Sequence, residues 1–293
     1  MIATDDSASG AQSKSSGVLQ LVATPIGNLQ DITLRAIEAL KSADAIACED
    51  TRTSGVLLRH YEVTTPLVAY HEHNAEKMRP KLLARLTGGE TIALISDAGT
   101  PLISDPGYKL VREAQAVGVR IEPIPGACAA ITGLCASGLP THRFAFLGFL
   151  PTKASTRTAL LNSVSNFPGT LICYESPKRT IATLREIASA LGEREVALAR
   201  ELTKRFEELL RLPIAELIAA LEARESLKGE VVLLIGEAET SLPEGEALDA
   251  LLRDTLKTHG TKEAARLIAA QTGASKSELY SRALELKDED AAG

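Results

Sequence analysis

Short runs rich in valine, isoleucine and leucine recur along this chain, each followed by a loop and then by a longer segment of helical period. No other feature constrains the fold as much. A strand run needs sheet partners and the intervening helices must cover the sheet faces, so the pattern predicts α/β layers with largely parallel strands. The first unit is Val18–Ala23, the loop Thr24–Asn28 and a helix from about Ile32 to Lys41, with Leu34, Ile37 and Leu40 on its apolar face. Runs at Ala45–Cys48, Leu67–Tyr70, Thr91–Ile95 and Arg120–Ile124 repeat it and give a five-strand N-terminal α/β domain over residues 18–138.

A second α/β set, residues 139–238, begins after Gly138-Leu-Pro140, with strands at Phe144–Leu147, Thr170–Tyr174, Val196–Ala199 and Glu230–Ile235. Its helices are expected near residues 154–164, 178–191 and 213–224. A polar linker, Glu237–Gly245, leads to a small three-helix appendage, helix-turn-helix-like, over residues 245–288. Gly273 is a C-cap candidate there and Ser275-x-x-Glu278 a capping box. Residues 1–17 are small, polar and Ser-rich and read as a disordered extension without the apolar stretch of a secretory signal. With 293 residues there is material for two cores and an appendage.

Composition removes several function classes. No apolar run approaches the roughly 20 residues of a membrane span, and the expected location is the cytosol. Cys48, Cys128, Cys135 and Cys173 stand singly in apolar contexts, without a Cys-x-x-Cys pair, and read as reduced core residues. His71-Glu-His73 lacks the companions of a metal site, so no metal is expected and a loop touching substrate or a partner subunit is favoured. A net charge of -6 rules out a globally basic nucleic-acid binder, and with 3% aromatic residues a stacking platform for single strands is unsupported. RNA contact would need a local basic rim, for which Arg52, Lys153, Arg157, Lys178, Arg179 and Arg200 sit in or beside the loops that follow the strands. The appendage offers Lys257, Lys262, Arg266, Lys276 and Arg282, with RNA binding and simple packing or dimerisation equally open.

In open α/β sheets ligands bind beyond the carboxyl ends of the strands. Three loops there are stiffened by proline and opened by glycine: Thr24–Asn28, Ser96–Gly107 and Pro123–Ala127. No two glycines are two positions apart and no Gly-Lys-Ser/Thr occurs, so neither the dinucleotide fingerprint nor the P-loop can form. Loops of this kind, flanked by Asp97 and Asp105, suit a phosphate-free ligand bearing an adenosine, a carboxylate and a sulfonium, which describes S-adenosylmethionine.

Several long segments carry a resemblance. They are Leu21–Asp31, Glu49–Thr53, Tyr70–Asn74, Ser96–Gly107, Ser137–Pro140, Gly148–Pro151, Tyr174–Pro177 and Ala199–Lys204, in that order. In these the chain resembles the tetrapyrrole methylase superfamily over about its first 235 residues. The resemblance implies two α/β domains with a cofactor cleft between them, homodimerisation, and S-adenosylmethionine held by Pro25, Gly27, Asp97, Gly99, Thr100, Ile103, Ser104, Cys128, Ala129 and Tyr174. It further implies methylation of a cytidine ribose 2'-hydroxyl in the decoding region of small-subunit rRNA, within the free RNA or the ribosomal subunit. Rival readings are a tetrapyrrole or diphthamide-precursor methyltransferase of the same fold and a non-catalytic protein binding a nucleotide-like ligand.

A ribose hydroxyl needs a proton acceptor within hydrogen-bond reach. Glu49, Asp50, Glu201 and Lys204 are the candidates for a catalytic base, each with a salt bridge or helix cap as its alternative role.

Overall fold

A computed structural model describes residues 17–237, 245–272 and 274–292. The chain divides into two compact units, residues 1–237 and 238–293. The first unit holds two five-stranded sheets.

The first sheet comprises β1 (Val18–Val22), β2 (Ala45–Cys48), β3 (Leu67–Ala69), β4 (Thr91–Leu94) and β5 (Arg120–Ile124). Its order is β3-β2-β4-β1-β5 and every pairing is parallel. Side chains alternate between its two faces, as the pleat requires. On β4, Ala93 joins Val22, Ile46 and Leu40 of α1 (Leu34–Ser42), while Ile92 and Leu94 join Leu19, Leu82 and Leu86 of α3 (Ala75–Thr87). Each fully buried leucine or isoleucine contributes roughly 1.5–3 kcal/mol. Helix α1 starts where Thr33 caps it, accepting the Ala36 N–H at 3.1 Å. Helix α2 (Thr51–His60) begins with Asp50 accepting the Arg52 N–H at 2.8 Å, and α4 (Tyr108–Ala116) follows the long loop after β4.

The strand order sets the ligand position. From β1 the chain proceeds to β2 on one side, and from β4 to β5 on the other, so the crevice at the carboxyl ends of β1 and β4 is the topological switch point.

Helix α5 (Ala129–Ser137) leaves β5 and packs on the second sheet, placing Ala130 and Leu134 against Ile172, Ala199, Val232 and Leu234. Gly133 faces the same sheet, where Leu234, Val232 and Ala199 lie within van der Waals distance, 3.5–3.7 Å, of the position a Cβ would take. The second sheet runs β6-β7-β10-β8-β9, from β6 (Phe144–Phe149), β7 (Thr170–Glu175), β8 (Glu195–Arg200), β9 (Glu208–Pro213) and β10 (Val231–Ile235). Helices α6 (Ala154–Ser163), α7 (Thr180–Leu191) and α8 (Ile214–Glu222) cover its core of Leu171, Leu184, Leu198, Leu217 and Leu233.

Two expectations need correcting here. Only β6 and β7 pair in parallel; β7, β10, β8 and β9 are antiparallel neighbours, because a short reversal over residues 201–207 folds β9 back on β8. Strand β9 itself escapes the apolar-run signal, since its Leu210 and Leu212 face inward while Arg211 and Pro213 stay exposed on a sheet edge. Two smaller points also differ. Gly17 is buried, its N–H donating to Leu86 O at 2.9 Å, while residues 1–16 of the expected extension lie outside the described residues. Cys135 is exposed, unlike buried Cys48 and Cys173.

The second unit consists of α9 (Glu246–Leu256), α10 (Thr261–Thr272) and α11 (Lys276–Ala292) around Leu252, Ala265, Ile268, Leu279 and Leu286. The last helix continues past residue 288 to Ala292. Ser275 Oγ accepts the Glu278 N–H at 3.5 Å, half of the expected capping box; Gly273 lies outside the described residues. Arg282 pairs with Asp249 across the bundle, Arg266 with Glu263 and Lys257 with Asp254. Lys262 and Lys276 border a shallow pocket with Tyr280.

Candidate active site

The loops after β1, β4 and β5 meet at the switch point and are laced together by backbone groups. Thr24 and Gly99 form an isolated antiparallel bridge, exchanging N–H···O bonds of 2.9 and 3.0 Å. Thr24 Oγ1 donates to Ser96 O at 3.2 Å, and Thr100 Oγ1 to Ala127 O at 3.0 Å. Gly99 takes φ +81°, with Ile26 against the space a side chain would need. Leu102 and Ser104 hold left-handed backbone at φ 72° and 68°, a conformation costing a non-glycine residue of order 1–3 kcal/mol. Such strain persists only where surrounding bonds enforce it, here in the loop that faces the crevice.

The second sheet supplies the opposite wall. Tyr174, on β7, accepts the Ala130 N–H at 3.2 Å at the start of α5, where Cys128 provides no side-chain cap. Phe146 and Phe149 pack edge-on against it, with ring centroids 4.9 and 5.5 Å away. Burial, with Cys128 beside it, pushes the Tyr174 hydroxyl up to about 12, so it stays protonated at neutral pH.

Between the walls lies a cavity of about 400 Å³, lined among others by Ile26, Asp97, Ile103, Ser104, Ala129 and Tyr174. All of these but Ile26 belong to the cofactor set that the resemblance implies. Of the rest of that set, Gly99 and Thr100 tie the loops together, Pro25 and Gly27 flank Ile26, and Cys128 precedes Ala129. Sequence reasoning missed Phe149, Glu175, Gly229 and Glu230, which also line the cavity. Phe149 and Glu175 lie in segments already singled out, Gly148–Pro151 and Tyr174–Pro177. Gly229, at φ +91° against the Glu201 side chain, carried no signal beyond being a glycine before a strand.

A second cavity, of about 750 Å³, opens on the first sheet's side. Glu49, Tyr70, Glu72, His73, Arg79 and Lys109 are among its lining residues, and it shares Ser104 and Asp105 with the smaller one. His73 therefore faces a cavity, as does Glu72.

The four candidate bases occupy different situations. Asp50 caps α2 and pairs with Arg52 at 2.6 Å, and these bonds hold its carboxyl down at about 2. Lys204 donates to both Glu201 and Glu230 at 2.9 Å; the pair of carboxylates outweighs its burial and raises its pKa. Glu201 in turn is held below the usual range by Lys204 and the Glu230 N–H. Glu201 and Lys204 thus occupy each other. Glu49 is pushed up by burial and by the neighbouring Asp97, and it faces the larger cavity.

The basic residues separate as sharply. Arg157, 8% exposed, is clasped by Glu186 and donates to Pro151 O and Thr152 O at 2.8 and 3.1 Å. Arg179 grips Glu175 at 2.8 and 3.0 Å, and Arg200 grips Glu208 at 2.9 Å. These guanidinium groups are committed to carboxylates and do not form a free rim. Arg52, Lys153 and Lys178 are exposed.

Comparisons with known proteins agree with this geometry. Residues 18–218 match the model of the Tetrapyrrole (Corrin/Porphyrin) Methylases, and residues 243–287 match the RsmI C-terminal HTH domain. Ribosomal RNA small subunit methyltransferase I of Mesorhizobium japonicum is 50% identical over 276 residues, 94% of each chain. The enzyme of the same name from Escherichia coli O157:H7 is 48% identical over 92% of this chain and 96% of its own. Among solved structures, a diphthine synthase superposes with TM-score 0.61 at 14% identity over 75% of this chain and 90% of its own. Uroporphyrin-III C-methyl transferase from Thermus thermophilus, complexed with S-adenosyl homocysteine, gives 0.53 at 22% identity over 76% and 98%. These two share the fold.

Proposed function

The chain belongs to the tetrapyrrole (corrin/porphyrin) methylase family, and from that premise we propose that it is an S-adenosylmethionine-dependent methyltransferase of small-subunit ribosomal RNA. The observation that carries this reading is the near-full-length match to small-subunit rRNA methyltransferases, which includes the C-terminal helical unit. A methylase of small molecules has no evident need for that unit.

The cavity at the switch point fits the donor. Its volume lies in the range of about 300–1,000 Å³ typical of small-ligand sites. Its lining is mostly apolar and includes the Asp97 and Asp105 carboxyls and the Tyr174 and Phe149 rings, groups of the kind that attract a cationic ligand. Ile26, Asp97, Ile103, Ser104, Ala129 and Tyr174 would hold it. When bound, the donor supplies an electrophilic methyl group on a positively charged sulfur. The protein's part is to orient and to exclude water: the Thr24–Gly99 bridge fixes the loop geometry, and Phe149 and Tyr174 close the second wall.

The finer reading is methylation of the ribose 2'-hydroxyl of a cytidine in the decoding region, by a homodimer in the cytosol. The segments Leu21–Asp31, Ser96–Gly107 and Ala199–Lys204, which carry the family resemblance, support it. Small-subunit rRNA from cells lacking this protein is expected to lose one ribose methylation at a cytidine near the decoding site. An unchanged methylation map would overturn the proposal.

A further inference from the structure

Methyl transfer to a hydroxyl requires a proton acceptor that reaches the nucleophile while the donor is in place. Among the described residues, Ser104 and Asp105 are the two that line both cavities. Asp97 faces the smaller cavity only, where its carboxylate accepts the Asp50 N–H at 3.1 Å, and Glu49 faces the larger only. Asp50, Glu201 and Lys204 are each held in ion pairs. Asp105 sits in the strained turn that follows Leu102 and Ser104, and Gly107 at φ +140° lets the turn close against Leu94 and Leu102.

Resting on the function proposed above, we infer that Asp105 accepts the proton of the acceptor hydroxyl, with the donor in the smaller cavity and the acceptor nucleoside in the larger. The hydroxyl O–H bond breaks toward the Asp105 carboxylate as the new O–CH₃ bond forms. The S–CH₃ bond breaks with its electron pair left on sulfur, so the sulfonium donor becomes a neutral thioether and Asp105 releases the proton to solvent.

The electrostatics suit that task. Burial, then the charges of Glu49 and Asp97, push the Asp105 carboxyl up to about 6, against the lowering influence of the nearby Ser96 hydroxyl. Tyr174 faces it from β7 as a neutral hydroxyl. Around the larger cavity, Lys109 and Arg79, the latter paired with Glu113 at 2.7 Å, carry positive charge and Glu72 and Glu76 negative charge, with the His73 ring also on the lining. Glu175 and Glu230 line the smaller cavity, each bonded to a cation, Arg179 and Lys204 respectively. Glu49 acts through Asp105 and is a positioning residue. A base in this range is mostly ionised at neutral pH and still basic enough to accept a proton.

The test uses the purified full chain, small ribosomal subunits lacking the modification and S-adenosylmethionine, with binding of S-adenosylhomocysteine measured separately by calorimetry. Asp105→Asn is expected to lower kcat on the order of 10²–10⁴-fold, while binding of the thioether, which carries no sulfonium charge for a carboxylate to attract, stays within about twofold of wild type. The wild-type rate is expected to rise with pH through an apparent pKa near 6, and Glu49→Gln to move that limb to lower pH by removing a neighbouring negative charge. Wild-type kcat and an unchanged pH profile in Asp105→Asn would overturn the inference, and so would a limb that Glu49→Gln leaves in place. Should Asp105→Asn fail to fold, the Glu49→Gln shift decides. A wild-type protein that transfers no methyl group to the subunit refutes the functional reading itself, a result distinct from an active wild type with an equally active variant.

Discussion

Gly27 and Lys204 touch across the two sheets of the first unit: a Cβ at residue 27 would come within 2.5 Å of Lys204 Cγ and 2.8 Å of Thr203 Oγ1. Beside them the Asn28 N–H donates to Thr203 Oγ1 at 3.1 Å. Thr203 and Glu201 both hold positive φ, at 65° and 51°, so the loop from the second sheet is bent to meet the loop from the first. Gly27→Ala is therefore expected to cost about 1–3 kcal/mol by overpacking, read as a fall of several degrees in Tm. S-adenosylhomocysteine should also bind more weakly, because Ile26 beside it lines the donor cavity. Unchanged melting and unchanged binding would show that the two loops do not hold each other.

A second expectation concerns the basic residues. Arg157→Ala strips the partner from Glu186 and frees two carbonyls, and is expected to destabilise by about 2 kcal/mol or more in thermal unfolding. Arg52→Ala, on a side chain that is 90% exposed, should leave Tm in place. Lys153→Ala and Lys178→Ala should weaken RNA binding and flatten its salt dependence, the log–log slope falling by up to about 1 for each phosphate no longer neutralised. If Arg157→Ala weakens RNA binding with Tm intact, the assignment of that guanidinium to the fold is wrong.

Glu208 predicts an acid-sensitive component of stability. Arg224 first, and then Arg200, hold its carboxyl down at about 2 through bonds of 2.7–2.9 Å. Because the folded value lies below the unfolded one, the contribution is fully present above the usual carboxylate range and is lost as pH falls from about 4 toward 2. Denaturant unfolding of wild type and Glu208→Gln should differ by on the order of 2 kcal/mol at pH 7, after discounting for solvent screening, and the gap should close in acid. A pH-independent gap would contradict the ion-pair account.

Much of this arrangement is written locally in the chain. The first sheet was legible because β1, β2 and β4 are largely buried apolar runs and the edge strands β3 and β5 keep shorter, half-buried apolar stretches, each ended by a loop, and parallel order follows from the helices between them. Part of the smaller cavity's lining was legible too: the glycine and proline pattern singled out the Ser96–Gly107 loop with Asp97 and Asp105, and the family resemblance added Ile103, Ser104, Ala129 and Tyr174. What escaped depends on long-range pairing. Strand β9 buries only alternate residues at an edge. Arg157 and Arg200 read as surface cations until the fold brings Glu186 and Glu208 to them, whereas Arg179 pairs locally with Glu175, four residues before it. The choice of base was equally hidden, since what distinguishes Asp105 is its place on a wall common to two cavities, and no spacing in the sequence reports that.

Tyr174→Phe isolates one hydrogen bond. Removing the hydroxyl leaves the Ala130 N–H without its acceptor at the start of α5 while the ring keeps its packing on Phe146 and Phe149. About 1 kcal/mol is at stake, so S-adenosylhomocysteine affinity is expected to fall roughly fivefold with little change in fold by circular dichroism. Wild-type affinity would remove Tyr174 from the donor wall.

The most direct measurement is transfer itself. Purified protein, S-adenosylmethionine labelled in its methyl group and small ribosomal subunits lacking the modification are incubated, and the rRNA is digested to nucleosides and resolved by mass spectrometry. The label is expected in a single species, 2'-O-methylcytidine. Label on a base carbon or nitrogen, or no label in the RNA at all, would contradict the account.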